Sequence, residues 1–342
     1  MLLLDMAKNC LLVSAGWLLT AKEDKACYED WAFLIEDGIV SDMGPRKDLT
    51  AKYSTSDELA LNDHIVCPGL INCHNHAAMK LMRGLGQGLN LDDWLHQAIW
   101  PFEKEHLDAP TVGLGAELAM VEMVMSGITT FSDMYFFPET VASVAERLGL
   151  NIQLAVPIIS LDTRWARGSE ECIHQALALH DLYRDHQHVS VSFGPHSVEA
   201  LDLETLEKIG MYADELDLGI QIHLQETSGE LDRALKKHGH SFVVLLKKIG
   251  LMNERLQVVH AVHLTSEDKA ILAETHANVI HCPSSNLLLG SGICPTKDLL
   301  ELGVNVALGT DDGSGVSGST TLGDMTVAAT YVYDGGHLQD ID

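Results

Sequence analysis

Pro68-Gly69-Leu70-Ile71-Asn72-Cys73-His74-Asn75-His76 decides how this chain is read. An apolar run from Ile65 to Ile71 ends at two histidines separated by one residue. In a strand, side chains at i and i+2 share a face. His74 and His76 would therefore converge on one point at the end of a strand. Two neutral imidazoles at one point suit a divalent cation such as zinc. A pair of hydrogen-bonded turn histidines would give the same spacing, so the weight of the pair depends on the rest of the chain.

Downstream of the pair the chain alternates. Short β-branched runs at 65–73, 127–133, 151–159, 189–194, 218–223, 256–260, 278–282 and 304–310 give eight candidate strands. Helical patterns lie between most of them: Thr111 to Ser126, Glu139 to Leu148, Asp202 to Leu216 and Ser266 to Glu274. Eightfold strand–helix alternation predicts an α/β fold, a parallel (β/α)8 TIM-like barrel. A doubly wound open sheet is the competing architecture, but no glycine-rich phosphate loop comes after the first strand.

Barrel chemistry sits at the C-terminal ends of strands. The first end carries His74 and His76, and the second Asp133. His196 comes just after the fourth strand. The fifth ends at His223, with Glu226 three residues on. The sixth ends at His260, with His263 beyond it. His281 is on the seventh, and the eighth ends in Thr310-Asp311. One such histidine is as often a core hydrogen-bonding group as a ligand. Polar groups kept only for packing would be spread over both rims, not gathered at one.

Residues 1–66 read differently. Cys10 to Ala15 is a strand. Trp31 to Glu36 leads through Asp37-Gly38 into Ile39 to Met43, a hairpin signal. This predicts a small β domain over 1–66, with the barrel over 67–342.

Composition limits the partners. The 342 residues carry 22 basic against 49 acidic side chains, a formal charge of −27. That opposes binding to nucleic acid or an anionic membrane. No apolar run reaches the roughly 18 residues that span a bilayer. Met1-Leu2-Leu3-Leu4-Asp5-Met6 has no basic start and no cleavage site, so no signal peptide is expected. Seven scattered cysteines without a C-x-x-C pair point to a reduced, cytoplasmic protein. A homo-oligomer stays open.

With these residues in place, the chain resembles the amidohydrolase superfamily. The motifs are His74-x-His76, His223-x-x-Glu226, His260 and Gly309-Thr310-Asp311. More narrowly it resembles the aminohydrolase branch, and within it the S-adenosylhomocysteine/5′-methylthioadenosine deaminases. Leu81-Met82-Arg83-Gly84, Asp93-Trp94-Leu95, Trp100-Pro101-Phe102-Glu103, Phe131 to Phe136 and Val279 to Asn286 carry that likeness.

The resemblance implies one Zn(2+) per chain, with Fe or Mn as substitutes, held by His74, His76, His223 and Asp311. Two-metal members bridge their ions with a lysine after the fourth strand, and Val189 to Pro195 has none. It implies that Glu226 shuttles a proton to the ring nitrogen, that His260 orients the attacking water, and that Asp311 accepts its proton. Glu103 would bind the ribose hydroxyls, His196 the purine edge and Trp94 the base. His281 would close the site, and Arg164 and Arg167 would meet a homocysteine carboxylate. The implied substrate is an adenosine-type nucleoside, deaminated to the inosine analogue.

Two other readings stand beside it. One is a hydrolase of the same branch acting on guanine, cytosine, a pterin or a triazine. The other is a shortened, non-catalytic scaffold that keeps its metal for stability. Relatives continue past Asp342 and complete the small β domain. Without that part, strand edges would need a partner. A helix is expected at Leu322 to Tyr333.

Overall fold

The computed structural model describes residues 10–21, 27–53 and 57–312. The expected helix at Leu322 to Tyr333 lies outside them. The chain divides into two compact units, Met1–Gly69 and Leu70–Asp342.

The first unit is a four-stranded sheet of β1 (Cys10–Leu19), β2 (Cys27–Glu36), β3 (Ile39–Pro45) and β4 (Asp57–Val66), in the order β3-β2-β1-β4. The Asp37-Gly38 turn joins β2 to β3 antiparallel, with Glu36 opposite Ile39. Leu12, Ala32 and Leu34 pack against Leu49 of the helix Arg46–Lys52.

The second unit is the barrel. Its strands are β5 (Leu70–His76), β6 (Ile128–Asp133), β7 (Asn151–Ile158), β8 (Val189–Pro195), β9 (Ile220–Leu224), β10 (Leu256–His260), β11 (Asn278–His281), β12 (Val306–Leu308) and β13 (Asp311–Asp312). Each pairs in parallel with its neighbour in sequence, except that β12 and β13 divide one strand's work. β12 pairs with β11, and β13 returns to β5, with Asp311 opposite Asn75. Sequential order with that return closes the ring and excludes the open sheet. Large apolar side chains such as Phe131, Leu154, Phe193 and Ile222 fill the core.

Three of the helices between the strands start at a side-chain cap that the sequence supplies. Asp108 accepts from the Thr111 amide, Asp202 from that of Thr205, and Thr265 forms a capping box with Asp268.

Two expectations need correction. The run 65–73 is not one strand. β4 ends at Val66 in the small sheet and β5 starts at Leu70 in the barrel, because Pro68-Gly69 interrupts the ladder. The two histidines consequently lie within β5. The eighth strand, expected at 304–310, is broken at Gly309-Thr310. A Cβ at Gly309 would meet His74 Cβ at 2.8 Å and its carbonyl oxygen at 2.9 Å, so only glycine allows this approach. Asp312, just past the break, pairs with His76.

Candidate active site

β5, β9, β10 and β13 bring four imidazoles and one carboxylate together. Asp311 Oδ1 lies 3.2 Å from His74 Nε2 and 3.3 Å from His76 Nε2. His223 Nε2 lies 3.2 Å from His74 Nε2. Ligating atoms of His74, His223, His260 and Asp311 all fall within 4.8 Å of one another.

The hydrogen bonds say which rings offer a lone pair. His76 Nδ1 is 2.6 Å from the Met134 carbonyl, and His223 Nδ1 is 2.7 Å from the His196 carbonyl. A carbonyl only accepts, so both Nδ1 atoms carry the proton. His74 Nδ1 is 2.8 Å from Gln221 Oε1, and that amide is oriented by its Nε2, which donates to Cys73 O and Gln257 Oε1. Three rings therefore present unprotonated Nε2 atoms to one carboxylate. Electron pairs aimed at each other from four sides fit a divalent cation.

His260 is different. Asn286 Nδ2 donates to its Nδ1 at 3.0 Å. Its proton therefore sits on Nε2, which faces Glu226 Oε2 at 3.5 Å. Although close to the ligating group, His260 is set to donate a hydrogen bond, and His76, just outside that tightest four, is set to ligate.

Charge comes from burial and contact. Burial and the surrounding imidazoles push His223 well below the usual histidine range. Burial would raise Asp311, but the close contacts with the His74 and His76 rings hold its carboxyl well below the usual range. Burial raises Asp133 to about 6. Its Oδ1 accepts from the Ala77 amide at 2.6 Å and so holds the turn after His76. Four non-glycine residues at these strand ends are left-handed: Gln225 (φ 51°), His260 (φ 74°), Ala261 (φ 50°) and Asp311 (φ 56°). Such backbone strain concentrates where side chains must be aimed.

Glu226, buried three residues past His223, accepts from Ser291 Oγ at 2.7 Å. Its backbone amide and that of Gln225 donate to the Glu230 carboxylate, at 2.9 and 3.0 Å.

The other residues expected from the sequence lie around this centre. The His196 ring is 4.8 Å from that of His223, and burial pushes it down to about 4. His281 ends β11, buried, with no hydrogen-bond partner for Nδ1. Glu103, in the helix Trp100–His106, accepts from the Tyr135 hydroxyl at 2.6 Å, and the Tyr135 ring lies 6.3 Å from His76. Burial raises the Glu103 carboxyl. Trp94 is buried in the core, its indole N–H given to Leu85 O at 3.0 Å. Arg164 donates to Glu105 O at 3.0 Å, on the helix that carries Glu103. Arg167 is exposed, and neither arginine has an ion pair or hydrogen bond to the histidine group.

Sequence reasoning missed Gln221, Tyr135, Glu230, Ser285, Asn286 and Ser291. Gln221 had a signal: two residues before His223 on a strand, it shares that face.

Comparison with known proteins agrees with this geometry. The model of the amidohydrolase family matches residues 65–337. The 5-methylthioadenosine/S-adenosylhomocysteine deaminase of Teredinibacter turnerae is 39% identical over 319 residues, 93% of this chain and 72% of that protein. The protein of that name from Pyrococcus furiosus is 37% identical over 321 residues, 93% of this chain and 74% of its own. An adenosine deaminase from Xanthomonas campestris, crystallised with zinc, superposes with a TM-score of 0.92 at 32% identity, covering 95% of this chain and 74% of that one. The atrazine chlorohydrolase TrzN of Arthrobacter aurescens, also a zinc complex, shares the fold at a TM-score of 0.86 and 22% identity, covering 93% of this chain and 76% of its own. Among the described residues no helix is long and apolar enough to cross a membrane. By the matched model, the identity to these relatives and the closed barrel, this chain belongs to the amidohydrolase family.

Proposed function

We propose that the protein hydrolyses the exocyclic amine of an adenosine-type nucleoside, such as 5′-methylthioadenosine, S-adenosylhomocysteine or adenosine, giving the inosine analogue and ammonia. One observation carries the reading: three unprotonated Nε2 atoms and Asp311 meet beside an acid–base pair, Glu226 and His260. The names of the relatives that are 37% and 39% identical support the substrate class.

His74, His76, His223 and Asp311 would hold one zinc ion per chain. Bound there, zinc supplies Lewis acidity that brings a water's pKa toward about 7. His260 donates Nε2–H to the attacking water and fixes its direction. Glu226 takes a proton from that water and delivers it to the ring nitrogen beside the attacked carbon. That transfer draws electrons out of the ring as the new C–O bond forms. Asp311 takes the second proton and passes it to the departing amine.

Glu103 favours a nucleoside over a free base, since a half-buried carboxylate can accept both hydroxyls of a ribose diol. His196 and His281 line the base site, and the unpartnered Nδ1 of His281 is suited to a substrate hydrogen bond. Trp94 backs the base pocket from the core. Arg164, against the helix of Glu103, is better placed than Arg167 for a charged 5′-substituent. The reading gives the chemistry to residues 67–342 and places it in the cytoplasm, where seven free thiols stay reduced. The test is ammonia release from the zinc-loaded protein with methylthioadenosine, and its loss on stripping the metal.

A further inference from the structure

One short stretch after β11 touches three groups of the site. Ser285 Oγ donates to Asp311 Oδ2 at 2.6 Å. Asn286 Nδ2 donates to His260 Nδ1 at 3.0 Å and approaches Glu226 Oε1 at 3.5 Å. Ser291 Oγ donates to the same Oε1 at 2.7 Å. The three side chains are 3%, 0% and 4% exposed. Buried hydroxyls and amides are costly unless bonded. Here every donated bond goes to a group proposed to work in the reaction, on three different strands or their ends.

The stretch is itself fixed. The Ser291 amide donates to Asn286 O at 2.9 Å, and the Ser291 carbonyl lies 2.7 Å from His263 Nε2. This gives His263 its place: it anchors the loop that carries Ser291. The Asn286 amide can sit only one way round. Reversed, its oxygen would face the Glu226 carboxylate, oxygen to oxygen.

We propose that Asn286 and Ser291 are positioning residues that aim the proton-transfer pair. They hold Glu226 by Oε1 and His260 by Nδ1, which leaves Glu226 Oε2 and His260 Nε2 facing each other, 3.5 Å apart, where both can reach one water bound beside them. The transferred proton then travels on Oε2. An O–H bond of the water breaks as Oε2–H forms. Oε2–H breaks in turn as the ring N–H forms, and the carboxylate regains its charge. This rests on the proposed role of Glu226 as proton carrier.

A double-mutant cycle separates the two claims. We would measure kcat and KM for methylthioadenosine on the zinc-loaded parent, Ser291→Ala, Ser291→Thr, Glu226→Gln and Ser291→Ala/Glu226→Gln, with zinc content for each. Ser291→Ala should lower kcat by roughly 10- to 100-fold, as removal of an orienting partner does, with KM and zinc content kept. Ser291→Thr, which retains the hydroxyl, should recover most of the rate. On Glu226→Gln, Ser291→Ala should change nothing further. An equal loss in both backgrounds overturns the inference and leaves Glu226 as carrier. Turnover of Glu226→Gln at the parent rate removes the carrier and the brace together. A second measurement is independent of turnover. In 15N-histidine spectra, His260 of the parent should be the Nε2–H tautomer and should lose that preference in Asn286→Leu. A parent His260 protonated at Nδ1 contradicts the proposal.

Discussion

Nε2 of His223 stands 3.2 Å from Nε2 of His74, and neither nitrogen brings a proton to the contact. Each ring commits its Nδ1–H elsewhere, to His196 O and to Gln221 Oε1. Two lone pairs at that distance repel unless a cation lies between them. The purified protein should therefore carry one divalent ion per chain, and His223→Ala should lose it. Gln221→Leu should keep the fold but bind the ion roughly 10- to 100-fold more weakly, because His74 would lose its orientation. Elemental analysis and competition with a chelator check both. Two tightly bound ions per chain would contradict the single-ion reading.

Glu226→Gln keeps size and hydrogen bonding to Ser291 but cannot relay a proton. It should retain metal and substrate affinity while kcat falls by roughly 100-fold or more. Steady-state kinetics with parallel metal analysis decides it. A Glu226→Gln protein as fast as the parent would make Glu226 a structural acid.

Glu103 is held toward the site by the Tyr135 hydroxyl at 2.6 Å. Left without diol donors, a half-buried carboxylate costs about 1–3 kcal/mol. The ratio of kcat/KM for adenosine over 2′-deoxyadenosine should accordingly fall by roughly 5- to 100-fold in Glu103→Ala. It should fall by less in Tyr135→Phe. The same ratio in parent and Glu103→Ala would take Glu103 out of the substrate site.

Glu230 sets a pH dependence of stability. Burial raises its carboxyl from 4.5 to about 7, despite the amide bonds from Gln225 and Glu226. A carboxyl raised by folding releases its proton first in the unfolded state. Its stabilising contribution is full below about pH 4.5 and is lost as pH rises through about 7. The loss is about 3 kcal/mol. Denaturant titrations of parent and Glu230→Gln at pH 5 and pH 8 should show a steeper decline in the parent, whatever the absolute stability of the variant. Parallel declines would mean that Glu230 is not raised in the fold.

The histidine and carboxylate group was legible because strand geometry writes it into the chain. His74 and His76 are two apart, and His223, His260 and Asp311 each end a β-branched run. The barrel was legible from the same alternation, but its seams were not. Whether 65–73 is one strand depends on how strongly Pro68-Gly69 interrupts pairing, and the break at Gly309 is set by the distant backbone of His74. Ser285, Asn286 and Ser291 left no periodic trace. Their role comes from the short helix Pro283–Leu288 and the turn after it folding back over three strand ends, a tertiary fact with no local pattern. Tyr135 belongs to the motif Phe131 to Phe136, yet nothing in the sequence says that its hydroxyl reaches Glu103.

The most direct test measures ammonia release by the zinc-loaded protein from methylthioadenosine, adenosylhomocysteine, adenosine, guanine and cytosine, with metal content determined on the same sample. Turnover of the three nucleosides is expected, with the free bases slower by roughly 100-fold or more because a site built for ribose hydroxyls is left unsatisfied. Faster turnover of guanine or cytosine, or no ammonia from any nucleoside at full metal occupancy, would contradict the nucleoside deaminase.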